Sequence, residues 1–300
     1  MNIKRVVWGP VLSFVFLIFF SVLVVVIQWS LTNPSTGLEK VAMGSVSTAV
    51  QEIIPIVAGD IEVDAKAAIS VESFLYGPDK IIFEKNAQKQ LPIASLTKLM
   101  TAIVVIDNYN LSDQVLVNKI ADLQDPMKQD VQIGDIFPVE SLLKIMLVAS
   151  SNKAAYALAE GPGNNPGAEK FVRLMNAKAK DLGLEKTTFV DPTGLSDKNV
   201  STASDLVLLA KYILKNYPEI AKITREKEME IPNFGRIENT DQLLAEVPEI
   251  VCSKTGFTTA ADGCLLLVIN NQKNNDYIIN VILGAGDRFT EMKKLIYNCQ

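Results

Sequence analysis

The sequence predicts an α+β domain in which an antiparallel sheet is assembled from both ends of the domain and a helical subdomain is inserted between them. Three observations carry that prediction. Two short β-like runs open the domain, a long middle stretch is helical in pattern, and three further β-rich runs precede a closing helix.

Taken in order, Ala68–Phe74 and Lys80–Phe83 are separated by Gly77-Pro78-Asp79, whose turn chemistry predicts a hairpin. Helical periodicity runs through Ser95–Ile106, Val139–Ser150, Asn152–Glu160, Ala168–Leu182 and Ala203–Asn216, with Gly, Pro, Asn and Asp clusters between them. The string GPGNNPG at 161–167 is a clear break. Near the end, Glu249–Phe257, Cys264–Asn270 and Tyr277–Leu283 are β-rich, and Arg288–Cys299 reads as the closing helix. No internal repeat or low-complexity tract occurs. A cleft between sheet and helical subdomain is the expected place for a ligand.

Composition narrows the chemistry. With 48% hydrophobic and 21% charged residues, the 300-residue chain is globular, with one sizeable domain or two small ones. It contains no histidine, which excludes Ser-His-Asp and Cys-His catalysis and every histidine-ligated zinc site. A general base must therefore be a carboxylate, lysine, tyrosine or cysteine. The three cysteines, Cys252, Cys264 and Cys299, are too widely spaced for a Cys-x-x-Cys redox or metal motif, and no metal or cofactor is expected. Cys252 and Cys264 flank an expected hairpin; they could pair in an oxidising compartment, but the favoured reading is of buried small hydrophobes. A net charge of −5 and the absence of any Lys/Arg-rich run argue against nucleic acid as a partner.

The first residues carry a separate signal. Lys4 and Arg5 precede an uncharged run from Val6 to Leu38, and its part up to Trp29 is almost wholly apolar. As a helix, those 24 residues would measure roughly 36 Å, enough to span a bilayer with some tilt. A cleaved signal peptide should have a shorter apolar region and a small-residue cleavage site, which Gln28-Trp29-Ser30-Leu31 does not supply. The expectation is an uncleaved, single-pass anchor over residues 1–29 with its basic end in the cytoplasm. Residues 30–60 read as a linker, part of which (Val41–Val57) has some helical character, and residues 61–300 as the extracytoplasmic domain at the cell membrane. Removing Lys4 and Arg5 from the 29 basic residues leaves 27 against 34 acidic ones, so the exported part is acidic, at −7.

Without histidine, a serine activated by lysine is the economical nucleophile, and Ser-x-x-Lys on a helix puts both side chains on one face. Three such pairs occur: Ser95/Lys98, Ser141/Lys144 and Ser150/Lys153. Context separates them. Lys98 is the only charged residue in LPIASLTKLMTAIVVI; on these residues alone the favoured reading is a lysine snorkelling from a half-exposed helix, and the other is a buried lysine whose ammonium form is disfavoured and which is prepared as a base. Lys144 has Glu140 four residues earlier, the signature of an exposed ion pair. Taken alone, Ser150-Ser151-Asn152 reads as a helix cap and Lys254-Thr255-Gly256 as a strand end entering a turn.

In combination and in this order, Ser95-Leu-Thr-Lys98, Ser150-Ser-Asn152 and Lys254-Thr-Gly256 match the signature set of the penicillin-recognising serine enzymes. The flanking strings FEKNAQKQLPIASLTKLMTA, GDIFPVESLLKIMLVASSNKAAYALAE, MNAKAKDLGLEKTTFVDPTGLSD and SKTGFT resemble the D-alanyl-D-alanine carboxypeptidases, the low-molecular-weight penicillin-binding proteins of bacterial cell walls. The resemblance spans about Asp64 to Cys299 and implies a β-lactamase/transpeptidase-like fold.

The resemblance also implies roles. Ser95 would attack the penultimate D-alanine carbonyl of a peptidoglycan stem peptide, Lys98 would take its proton, Ser150 would relay a proton to the leaving amine, and Asn152 would hold Lys98 and the substrate backbone. Lys254 would keep the field positive, Thr255 would bind the terminal carboxylate, and Gly256 would leave room for extended substrate. The backbone N–H groups of Ser95 and Phe257 would form an oxyanion hole. β-Lactams would act as inhibitors.

Departures from the family pattern are the serine at 151, Lys153 where Asp is common, and the lack of histidine around Asp191-Pro-Thr-Gly-Leu and before Ser201, which reads as a structural or peripheral change. Asn239-Thr240-Asp241 resembles the family's Asn-x-Asn; with Thr240 where some members have Arg, carboxylate binding would fall on Thr255. The chain ends one helix after the last strand, so attachment is expected from the N-terminal segment. A class A β-lactamase would need Glu-x-x-Leu-Asn between the second and third motifs, and no such string occurs. A D,D-endopeptidase would use the same residues, and a non-catalytic peptidoglycan- or β-lactam-binding module is the remaining alternative.

Overall fold

The computed structural model describes residues 61–74, 78–118, 131–271 and 276–298. The expected anchor (1–29) and linker (30–60), Gly77 of the expected turn, and Cys299 lie outside these residues. Among the described residues, no helix is long and apolar enough to cross a membrane.

The described residues open with an antiparallel hairpin of β1 (Ala65–Ser73) and β2 (Lys80–Lys85). The short β3 (Leu91–Pro92) leads into a 3-10 turn, Ala94–Leu96, and helix α1 (Thr97–Asn108). β4 (Gln114–Leu116) and β5 (Ile136–Pro138) pair with each other ahead of α2 (Val139–Val148), α3 (Asn152–Glu160) and α4 (Ala168–Asp181). β6 (Val200–Ser201) returns to pair with β3, followed by α5 (Ala203–Asn216) and α6 (Pro218–Thr224). A hairpin of β7 (Glu228–Ile231) and β8 (Gly235–Glu238) precedes the three long strands β9 (Ile250–Thr258), β10 (Asp262–Asn271) and β11 (Asp276–Ala285) and the closing helix α7 (Arg288–Asn298).

The main sheet has the order β2-β1-β11-β10-β9 and is antiparallel throughout. β1 lies against β11 over Ala65↔Ala285 to Ser73↔Tyr277, so the two ends of the domain meet inside one sheet, as the sequence predicts. The period-2 alternation of strand side chains sends β10 residues to two different cores. Cys264, Leu266 and Val268 join the core shared with the helical subdomain, whereas Leu265, Leu267 and Ile269 join a second core with Met292, Leu295 and Ile296 of α7. Both faces are covered, which is why these strands read as continuous apolar runs.

Helix α1 is buried almost all round. Leu99, Met100, Ala102 and Ile103 are each 0% exposed, and full burial of a side chain such as Leu or Met stabilises by about 1.5–3 kcal/mol. α3 is capped by Ser151, whose hydroxyl accepts from Ala154 N–H at 3.0 Å, and α5 by Thr202, which accepts from Asp205 N–H at 3.0 Å.

Differences from the sequence expectations are local. α1 starts at Thr97 because Ser95 belongs to the preceding 3-10 turn, and α2 ends at Val148, before Ser150. The first hairpin is longer than expected at both strands. The seven-residue α6, begun by a proline at its first position, was not foreseen, nor were β3 to β8, which have two to four residues each and are too short for periodicity to register.

Candidate active site

Ser95 sits at the mouth of α1 on a constrained turn. Ala94, immediately before it, has φ +47°, a left-handed conformation that a residue with a Cβ adopts at a cost on the order of 1 kcal/mol or more. Neighbours from distant parts of the chain hold the turn. Ile93 N–H donates to Asn199 O at 3.1 Å, and Asn199 Nδ2 donates to Thr97 Oγ1 at 3.1 Å. Gly194, with φ +88°, lies so close that a Cβ on it would fall 1.9 Å from Ala94 O. On the other side, a Cβ on Gly256 would meet Ile93 O and Ser95 N at 3.0 Å. The missing side chain of Gly256 thus admits the Ile93–Ser95 turn against β9.

One turn further along, Lys98 is 0% exposed. Its Nζ lies 2.8 Å from Ser95 Oγ, and donates to Asn152 Oδ1 at 2.8 Å and to the Thr193 carbonyl at 2.8 Å. Asn152 begins α3 and is itself 5% exposed. Ser150, between α2 and α3, has φ +62°, and its hydroxyl accepts from Lys254 Nζ at 2.9 Å. Lys254 also donates to the Thr255 carbonyl at 3.1 Å. The three sequence motifs thus converge from α1, the α2–α3 junction and β9 on one place at the edge of the main sheet.

Next to them, the hydroxyls of Thr240 and Thr255 are hydrogen-bonded to each other, and Ser253 donates to Asp241 Oδ2. The segment is tied down by Asn239, whose Nδ2 donates to the carbonyls of Thr224 at 3.0 Å and Glu226 at 2.9 Å. Phe257, at the outer end of the motif, is 61% exposed.

The electrostatics follow from burial. Lys254 is 2% exposed, and its ammonium is held well below the ordinary lysine range, first by desolvation and then by the positive charge of Lys98. Two cations in one dry pocket disfavour each other, which adds to the lowering at Lys254. Asp241, 3% exposed, is pushed above the ordinary carboxylate range by burial, against the opposing hydrogen bonds from Ser253 and Leu243 N–H.

Two further expectations hold in the structure. Lys144 pairs with Glu140 on the side of α2 and takes no part in the convergence, and Ser141 stays with it. Cys252 and Cys264 are unpaired and buried: the register sets Cys252 opposite Val268 and Cys264 opposite Gly256. Burial pushes both thiols up to about 11. Among the described residues, no group of three or more Cys, Asp or Glu could hold a metal ion.

The sequence reading gives no role to the loop Asp191–Asn199, where it notes only the lack of histidine as a structural or peripheral change. The contribution of this loop to Lys98 is a backbone carbonyl, which has no residue-type signature; Gly194 and the Asp-Pro-Thr-Gly turn chemistry were the available hint.

Comparison with known proteins agrees with this geometry. The sequence model of the peptidase S11 family, D-alanyl-D-alanine carboxypeptidase, matches residues 53–287. A D-alanyl-D-alanine endopeptidase of Pseudomonas aeruginosa is 36% identical over 220 residues, covering 70% of this chain and 69% of that protein. The D-alanyl-D-alanine carboxypeptidase DacF of Bacillus subtilis is 32% identical over 247 residues, covering 78% of this chain and 61% of that one. The crystal structure of penicillin-binding protein D2 from Listeria monocytogenes in its ampicillin-bound form superposes with a TM-score of 0.70 at 28% identity, covering 80% of this chain and 99% of that one. By sequence and by fold, this chain belongs to the D-alanyl-D-alanine carboxypeptidase family.

Proposed function

We propose that this chain is a serine-type D-Ala-D-Ala carboxypeptidase that removes the terminal D-alanine from peptidoglycan stem peptides and is acylated by β-lactams. The observation that carries the reading is the contact of a fully buried Lys98 with Ser95 Oγ at 2.8 Å. In its neutral form Lys98 accepts the Ser95 proton as Oγ attacks the penultimate D-alanine carbonyl. The amide bond breaks, D-alanine leaves with a proton relayed through Ser150, and water resolves the ester on Ser95. The new negative charge on the carbonyl oxygen is met by the backbone N–H groups of Ser95 and Phe257. Thr255 takes the terminal carboxylate, with Thr240 beside it.

The ampicillin-bound relative supports the β-lactam half of the reading. The name of the Pseudomonas relative supports a second substrate, the D-alanyl cross-link between stem peptides, cleaved by the same residues. The basic residues Lys4 and Arg5 ahead of the apolar run to Trp29 support an N-terminal anchor that holds a catalytic domain of residues 61–300 outside the cytoplasm. The decisive assay is D-alanine release from a stem pentapeptide, run beside cleavage of a cross-linked dimer. Release by the wild type and none by Ser95→Ala is expected; equal turnover by both would refute the assignment.

A further inference from the structure

Asp191 belongs to none of the three motifs, yet its carboxylate organises the turn beneath Lys98. Oδ1 accepts from Thr193 N–H, Thr193 Oγ1 and Gly194 N–H, each at 2.7 Å, and Oδ2 accepts from Ser196 N–H at 2.9 Å. Charge-assisted bonds of this kind are roughly twice as strong as neutral ones. They fix the peptide between Thr193 and Gly194, and the carbonyl of that peptide is the one 2.8 Å from Lys98 Nζ. The loop is in turn bolted to α1 by Asn199, which is 0% exposed: its Oδ1 accepts from Val190 N–H at 2.8 Å, and its Nδ2 donates to the Asp191 carbonyl at 2.9 Å as well as to Thr97.

The consequence for Lys98 is directional. Asn152 Oδ1 and the Thr193 carbonyl are acceptors only, so each takes an N–H from Nζ whatever its protonation state. With both N–H bonds of a neutral amine committed in this way, its lone pair is left facing Ser95 Oγ. We propose that Asp191 is a positioning residue for Ser95 deprotonation: by clamping the Thr193–Gly194 peptide, it aims the Lys98 lone pair at the nucleophile. The proposal rests on the reading of Ser95 as nucleophile and Lys98 as its base. A purely structural aspartate would set how much protein folds; a positioning aspartate sets how fast each folded molecule reacts.

The test is saturation kinetics of acylation by a fluorescent penicillin on the full chain, with the folded fraction taken from cooperative unfolding. Asp191→Ala is expected to lower the limiting acylation rate per folded molecule by about tenfold or more while the half-saturating concentration stays within about twofold. Asp191→Asn keeps the oxygen that takes three of the four bonds and is expected to recover the rate to within about threefold of wild type. Asp197→Ala, an acid of the same loop that belongs to neither the site nor its clamp, serves as the control and should match wild type. A wild-type limiting rate in folded Asp191→Ala, or an asparagine variant no faster than the alanine one, would overturn the proposal. If the alanine variant does not fold, Asp191→Ser, which keeps one acceptor oxygen, takes its place: a lowered limiting rate supports the proposal and a wild-type rate overturns it. Failure of the wild type itself to acylate would instead refute the functional reading.

Discussion

The lysines of two Ser-x-x-Lys pairs lie on neighbouring helices of this domain, and they have opposite fates. Lys98, on α1, is 0% exposed and bonded to Ser95, Asn152 and the Thr193 carbonyl. Lys144, on α2, has a side chain 26% exposed and is paired with Glu140 one turn away. The four-residue pattern sets serine and lysine three positions apart in both cases; burial and long-range partners are what distinguish the two lysines. Lys144 is held by a carboxylate of its own helix, whereas Lys98 is held by a serine, an asparagine and a carbonyl from three separate parts of the chain. Chemistry at this site is therefore a property of what the rest of the chain brings to α1.

That contrast can be broken most severely at its centre. Ser95→Ala should abolish acylation outright, and Lys98→Ala should lower it by about 10²- to 10⁴-fold, the usual range for loss of a general base; stopped acylation assays read both. Next comes the packing that presents Ser95. Gly194→Ala puts a Cβ 1.9 Å from Ala94 O at a φ of +88°, so it should destabilise the domain by at least about 2 kcal/mol and slow acylation in what remains folded, as thermal unfolding and penicillin labelling would show.

A smaller, signed effect belongs to Lys254. Its folded-state titration is depressed below the usual 10.5, so between that lowered value and 10.5 the unfolded chain binds more protons than the native one. Stability then rises with pH across that window. Measured as Tm against pH, wild type should gain on Lys254→Met as the pH approaches 10.5, and a gap that moves the other way would contradict the burial argument. The smallest effects are expected at the second pair: Lys144→Ala removes an exposed i,i+4 ion pair and should change stability by less than about 0.5 kcal/mol and acylation not at all.

Much of this arrangement is legible in the sequence because local signals carry it. The helices, the long strands β9, β10 and β11 and the three motifs each announce themselves within a short stretch of chain, whereas the stretch around Lys98 alone fits a snorkelling lysine as well as a buried one. What escapes the sequence is nonlocal or lacks side-chain identity. The Thr193 carbonyl, the left-handed Ala94 and the cross-strand offset that separates Cys252 from Cys264 depend on register and backbone conformation, which residue types do not encode one by one. The close approach of Gly256 to Ile93–Ser95 escapes the sequence for the same reason, since those neighbours come from the far end of the domain sequence.

The central claim is that burial, rather than the Ser-x-x-Lys pattern, selects the nucleophile. It is tested most directly by intact-mass spectrometry of the full chain mixed with benzylpenicillin and sampled over time, with Ser95→Ala and Ser141→Ala alongside. The account predicts a lasting adduct of one benzylpenicillin on wild type and on Ser141→Ala, mapped to Ser95, and no adduct on Ser95→Ala. An adduct that persists in Ser95→Ala, or disappears in Ser141→Ala, would contradict it.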